Sequence, residues 1–173
     1  MQISKLSFCL VATQVLAILF LVKPAFGAEA TFTSKSLKPE AALKVAQAAL
    51  ASCRKSGFQV AVAVVDRAGL TQVMLRDQLA GAHTPDTAVN KAWTAVTFKT
   101  NTLQLAKDTA PGLEASGIRQ LARVVAVGGG VMIATGGGAL IGGVGVSGAS
   151  SGAADDVCAR AGIQVIADEI GFE

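Results

Sequence analysis

The chain has 173 residues, 51% of them hydrophobic, with 15 basic against 12 acidic side chains and a formal net charge of +3. Lys5 and Lys23 lie in an N-terminal segment set apart below, and without them the balance falls to 13 against 12. That charge is too small to point to nucleic acid or an anionic membrane as partner. One Trp and no Tyr give no series of aromatic platforms for stacking single strands.

Lys5 supplies a positive start, residues 6–22 are apolar apart from Ser7, Thr13 and Gln14, and Pro24 precedes small residues at Ala25 and Gly27. This pattern predicts a secretory signal peptide over residues 1–27, with a second candidate cut after Ala30. The expected product is one domain over 28–173, secreted and periplasmic, with no membrane partner after cleavage. An uncleaved anchor is the alternative, although the run barely reaches the ~18 apolar residues of a span. Cys9 leaves with the signal. Cys53 and Cys158 remain, an even number for an oxidising compartment.

The first predicted helix covers 39–53. Leu37, Leu43, Ala46 and Leu50 keep helical spacing, Pro39 sits in the first turn and Gly57 follows the end. The β-branched run 59–66 predicts a strand. A tight turn at 67–69, with Gly69 at positive φ, leads to a returning strand over 70–76. After a loop at 77–83, Thr84 is the expected N-cap, Pro85 the first helical residue and Asp86 a match to the dipole. That helix runs to Phe98, with Ala88, Val89, Ala92, Trp93 and Val96 on its apolar face. A helical turn at 102–107, a loop at 111–116 and a short strand at 124–127 follow. Strands at 131–134 and 139–146 flank a Gly136-Gly137-Gly138 turn. A last helix starts near Ala153, with Asp155 and Asp156 in its first turn, and ends before Gly171. Two hairpins with helices between them predict an α+β domain, an antiparallel sheet with helices packed on it.

The glycine-rich stretch 127–152 is not a P-loop, because no Lys follows Lys107 to reach a phosphate. Its glycines are read as turns and close strand packing. The chemistry is expected elsewhere, near residues 76–91. His83 is the chain's single His. With Ser147 and Asp66 it could complete a triad only in principle, since Ser147 sits in GVSGA and not in G-x-S-x-G. Zinc-ligand spacing and a C-x-x-C-H motif are both lacking. A non-covalent haem needs only one axial side chain, and His83 is the first candidate for the iron; a solvated surface His is the alternative. Arg76 and Lys91 could clamp carboxylates or propionates, or pair with Asp77 or Asp86. Asp66 is read as bonding its own turn, Trp93, Met74 and Met132 as core. Cys53 closes the first helix and Cys158 opens the last. If those helices pack antiparallel the two form a disulfide; otherwise they are buried thiols.

Several of these residues recur together in a known pattern. Val65-Asp66, Gly69, Arg76-Asp77, Ala82, Ala88, Lys91-Ala92, Thr94-Ala95 and Phe98 resemble the first half of the GlcG/HbpS-like haem-degrading family. Gly129-Gly130, Gly142, Gly145-Val146-Ser147-Gly148-Ala149, Asp155-Asp156, Ala159 and Gly162 resemble the second half. Met132 stands where that family often has Pro, and Gly136-Gly137-Gly138 replaces a more usual Asp-Gly turn. The resemblance implies a profilin-like α+β domain that assembles into homo-oligomers, and haem or another tetrapyrrole as ligand in some members. Others accompany glycolate use or corrinoid enzymes. On this basis a haem-binding protein is the first reading, more a binder than an enzyme, with a site that could lie between subunits. A haem-free small-ligand or accessory module of a periplasmic dehydrogenase is the second, and peroxide-dependent haem degradation the third.

Overall fold

The protein is described from a computed structural model, which describes residues 30–171. The expected signal peptide lies outside the described residues. The chain divides into two units, Met1–Ser34 and Lys35–Glu173, and every element below belongs to the second. Of the first, residues 30–34 are exposed and lack regular structure.

The elements are α1 (Pro39–Lys55), β1 (Ala61–Asp66), β2 (Thr71–Arg76), α2 (Thr84–Phe98), α3 (Thr102–Asp108), a 3-10 helix (Glu114–Gln120), β3 (Gly130–Ala134), β4 (Leu140–Ser147), α4 (Gly152–Gln164) and α5 (Ala167–Gly171). The four strands form one antiparallel sheet in the order β2-β1-β4-β3. This is the α+β fold expected from the two hairpins. None of the helices among the described residues is long and apolar enough to cross a membrane.

Strand alternation sorts the side chains into two layers. Val62, Val64, Val131, Ile133, Val144 and Val146 face α1 and α4, where they meet Val45, Ala49, Leu50 and Ala159 in the main core. Ala61, Ala63 and Val65 face α2, where they meet Ala88, Ala92 and Val96. On β4 the central positions that face α2, Gly143 and Gly145, are glycines. A Cβ on Gly145 would lie 2.0 Å from the Ala88 carbonyl oxygen, and one on Gly143 would lie 2.7 Å from Val96 Cγ2. The glycine-rich strand therefore lets α2 settle with its backbone against the sheet, a helix-to-sheet contact rather than the strand packing expected from sequence.

Several local readings are corrected. Leu43 points to solvent, and Ala42 and Val45 complete the buried face of α1 in its place. Residues 124–127 form no strand; Thr94 Oγ1 accepts from the Val125 amide at 3.1 Å and holds that segment against α2. Thr84 is inside α2 and donates to the Gly81 carbonyl, with His83 at the cap position. The last helix breaks after Gln164 and resumes at Ala167, with Ile166 buried in the break. Trp93 is only half-buried, under Arg123, whose guanidinium stands 4.7 Å from the ring centroid. Asp66 does as expected, accepting from the Ala68 and Leu70 amides across a turn in which Gly69 has φ of +82°.

Helices α1 and α4 run antiparallel. Cys53 meets Cys158, and further along Gly162 packs on Val45 and Ala49. The two cysteines form a disulfide with Cα atoms 5.5 Å apart and a sequence separation of 105. A bridge closing so long a loop restricts the unfolded chain strongly. Replacing both with Ala is expected to lower stability by about 2–4 kcal/mol. Urea unfolding with and without reductant checks this, since reductant should destabilise the wild type and leave the double variant unmoved.

Candidate functional site

Loop 77–83 ends in His83 and is held from several sides. Asp77 is buried, with Oδ1 accepting from Arg54 Nε at 2.7 Å and Oδ2 from the Val60 amide at 3.1 Å. Arg76 Nη2 donates to the Ala80 carbonyl, and Thr84 Oγ1 donates to the Gly81 carbonyl at 2.7 Å. Thr87 Oγ1 donates to the His83 carbonyl at 2.9 Å. The His83 ring folds back over Gly81, where an added Cβ would lie 2.9 Å from Cε1 and 3.1 Å from Nδ1. The imidazole is exposed and makes no hydrogen bond among the described residues. The loop is fixed while its ring nitrogens stay open to a ligand.

His83 stands on a cleft of about 410 Å³, within the roughly 300–1,000 Å³ usual for small-molecule sites. One wall is the start of α2, with Thr84 and Thr87. Another is the turn from β4 into α4, with Ser147, Gly148, Ser151 and Gly152. Val125 and Val127 add an apolar side. The GVSGA segment, expected to lie away from the chemistry, is therefore part of His83's own cleft.

Lys91 and Asp155 also line this cleft, at its buried end. Lys91 Nζ donates to Asp155 Oδ2 at 2.7 Å and to the Val146 carbonyl at 3.0 Å. Asp155 Oδ1 accepts from the Ala149 amide at 2.9 Å. Both side chains are at most 5% exposed. The partner of Lys91 is thus Asp155 and neither Asp77 nor Asp86, and its ammonium is committed inside the protein. Arg76 lies in a different depression, with Arg54, Gln59, Asp77 and Gln78. Of the three residues put forward from sequence, His83 and Lys91 share the cleft and Arg76 holds the loop behind it.

The triad is not assembled. Ser147 pairs with Ala61 at one end of β1, and Asp66 pairs with Gly142 at the other, roughly 17 Å away at the usual strand rise. Sequence reasoning missed Asp155 as the partner of Lys91. A buried Lys needs a carboxylate, but the two are 64 residues apart and only the packing of α2 beside the end of β4 joins them.

Among the described residues no three His, Cys, Asp or Glu side chains stand together as a metal cage. A bare ion would find a single good ligand in the cleft. One free imidazole and an apolar wall instead fit a metal that arrives inside its own macrocycle.

The fold recurs in proteins of known structure. A double mutant of Streptomyces reticuli HbpS is 38% identical, with a TM-score of 0.74 over 83% of this chain and 96% of that one. The PduOC:heme complex is 32% identical, with a TM-score of 0.71 over 76% and 95%. A Citrobacter freundii protein, an uncharacterized 15.0 kDa protein in the dhaT-dhaS intergenic region, is 36% identical over 110 residues, 62% of this chain and 77% of that protein. The family model "Haem degrading protein HbpS-like" matches residues 37–164, and the chain belongs to that HbpS-like family.

Proposed function

We propose that this chain is a secreted, periplasmic protein that binds haem non-covalently in the cleft, with His83 as the single axial ligand. The observation that carries the reading is the free imidazole of His83, fixed on the rim of a cleft, in a member of a family whose relative PduOC was solved with haem. When bound, the group supplies the iron and a flat apolar ring. The chain's part is to present one nitrogen, hold the loop through Arg76 and Asp77, and offer Val125 and Val127 to the ring face. Arg76 is a positioning residue in this scheme, and Lys91 belongs to the cleft floor rather than to a propionate clamp.

The cleft is open on one side. Val127 in its wall is 48% exposed, and Leu79 on the His83 loop is 76% exposed. A second copy of the chain in a homo-oligomer would cover both and close the ring in. The disulfide agrees with an oxidising, extracytoplasmic location.

Haemin titration followed at the Soret band tests the proposal. His83→Ala is expected to shift the band and to weaken binding at least about tenfold, or ~1.4 kcal/mol. An unchanged band and affinity would remove His83 from the site, and no band in the wild type would remove haem. The haem-free reading then gains if small carboxylic acids raise the melting temperature. Peroxide added to the complex tests the degradative reading: it requires loss of the Soret band faster than for free haem, with release of iron.

A further inference from the structure

The floor of the cleft carries a hydroxyl with nothing to bond. Ser147 closes β4, is 5% exposed, and lines the cleft. Its register partner is Ala61, whose side chain faces α2, so Ser147 projects to the same side, toward the first turn of α2. Its hydroxyl makes no hydrogen bond among the described residues. Among the described residues the enclosed side-chain atoms left without a partner are Gln72 Oε1 and Asp156 Oδ1, so the unpaired Ser147 Oγ instead opens on the cleft, where a ligand or water can meet it.

The turn that follows ends at the start of α4, a helix of 13 residues. Ser151 Oγ caps it by accepting from the Ala154 amide at 3.1 Å. The amide of Gly152, which also lines the cleft, has no partner among the described residues. Such amides are donors at the positive end of the helix dipole. The start of α2 offers less, since the amides of Thr84 and Thr87 bond to the Gly81 and His83 carbonyls and Pro85 has none. The one nearby acid, Asp155, has both oxygens engaged, by Lys91 Nζ and by the Ala149 amide. It is therefore a neutralised neighbour.

We propose that Ser147 Oγ and the Gly152 amide form a carboxylate-recognition subsite on the cleft floor. Resting on the haem reading, it takes a propionate of the tetrapyrrole whose iron faces His83. The two contacts define an orientation: the ring's acidic edge points inward to the start of α4, and its apolar edge points out past Val127.

Haemin and its dimethyl ester, which lacks the free carboxylates, are the first probes. Wild type is expected to bind haemin about tenfold tighter than the ester, the effect of a hydrogen bond to a charged group. Ser147→Ala is expected to close that gap, and Ser147→Cys, which keeps the volume if the Ala variant folds poorly, to narrow it. Equal binding of acid and ester by the wild type, or a gap that survives in both variants, overturns the subsite while leaving haem binding in place. If haemin gives no Soret band at all, the haem reading fails and sodium propionate decides the subsite. Shifts of the Gly148 and Gly152 amide signals that disappear in Ser147→Ala support it; amides that stay still in the wild type overturn it.

Discussion

Replacing Lys91 with Met is expected to destabilise the protein by about 3–5 kcal/mol, the cost of stranding a buried charge. The side chain is enclosed between α2 and the end of β4, with its ammonium on Asp155 Oδ2 and the Val146 carbonyl. Met fills a similar volume but leaves the Asp155 carboxylate with the Ala149 amide as its one donor. Lys91→Arg should be nearly as harmful, because an added Cβ on Gly129 would already stand 3.1 Å from Nζ and the larger guanidinium has no room. The double variant Lys91→Met with Asp155→Asn is expected to recover most of the loss, since the Asn carbonyl still accepts from Ala149 and no unpaired charge remains. Urea unfolding of wild type, Lys91→Met, Asp155→Asn and the double variant gives the coupling energy directly. A single-variant loss below about 1 kcal/mol would show that water reaches the carboxylate and that the floor of the cleft is not closed.

The same pair shows how far the sequence could be read. Lys91 was recognised as a residue of consequence, but as a ligand contact. Nothing local marks it as buried, because its neighbours Ala92, Thr94 and Ala95 form a face that reads equally well as small and polar. Its partner follows from tertiary packing alone. The strands were legible for a simpler reason. The β-branched run around Val62 and Val64 has one favourable conformation beside a turn whose Gly69 accepts positive φ. Residues 124–127 carry the same β-branched signal but do not join the nearby edge of β3, where Asn101 Oδ1 and Thr102 Oγ1 already accept from the amides of Met132 and Gly130. His83 could be put forward from sequence because an axial ligand is a single side chain, whereas the place of its ring over Gly81 comes from the fold. The proposed carboxylate subsite could not be, because Ser147 gains meaning only when the β1–β4 register turns it toward the cleft.

Among the described glycines, Gly145 is the one whose replacement by Ala is expected to be the most damaging. The new Cβ would meet the Ala88 carbonyl oxygen at 2.0 Å and the Ala92 amide nitrogen at 2.7 Å. Both are backbone atoms in the middle of α2, so no rotamer change can yield. Either α2 lifts from the sheet or β4 bends, and in both cases Ala61, Ala63 and Val65 lose their cover. Ordinary overpacking costs about 1–3 kcal/mol where side chains can move; here about 4 kcal/mol or more is expected, enough to leave little folded protein. Gly117→Ala provides the contrast. Its Cβ would meet nothing within 4 Å and its φ is not positive, so its stability should stay within roughly 0.5 kcal/mol of wild type. Thermal melts of the two variants check the difference. A Gly145→Ala protein that melts like wild type would mean that α2 does not rest backbone-to-strand on β4. Because Thr84, Thr87 and Lys91 reach the cleft from α2 and Ser147 from β4, the same close approach sets the width of the ligand site. A Gly145→Ala protein rescued by low temperature should therefore bind haemin more weakly, although the substituted residue does not line the cleft.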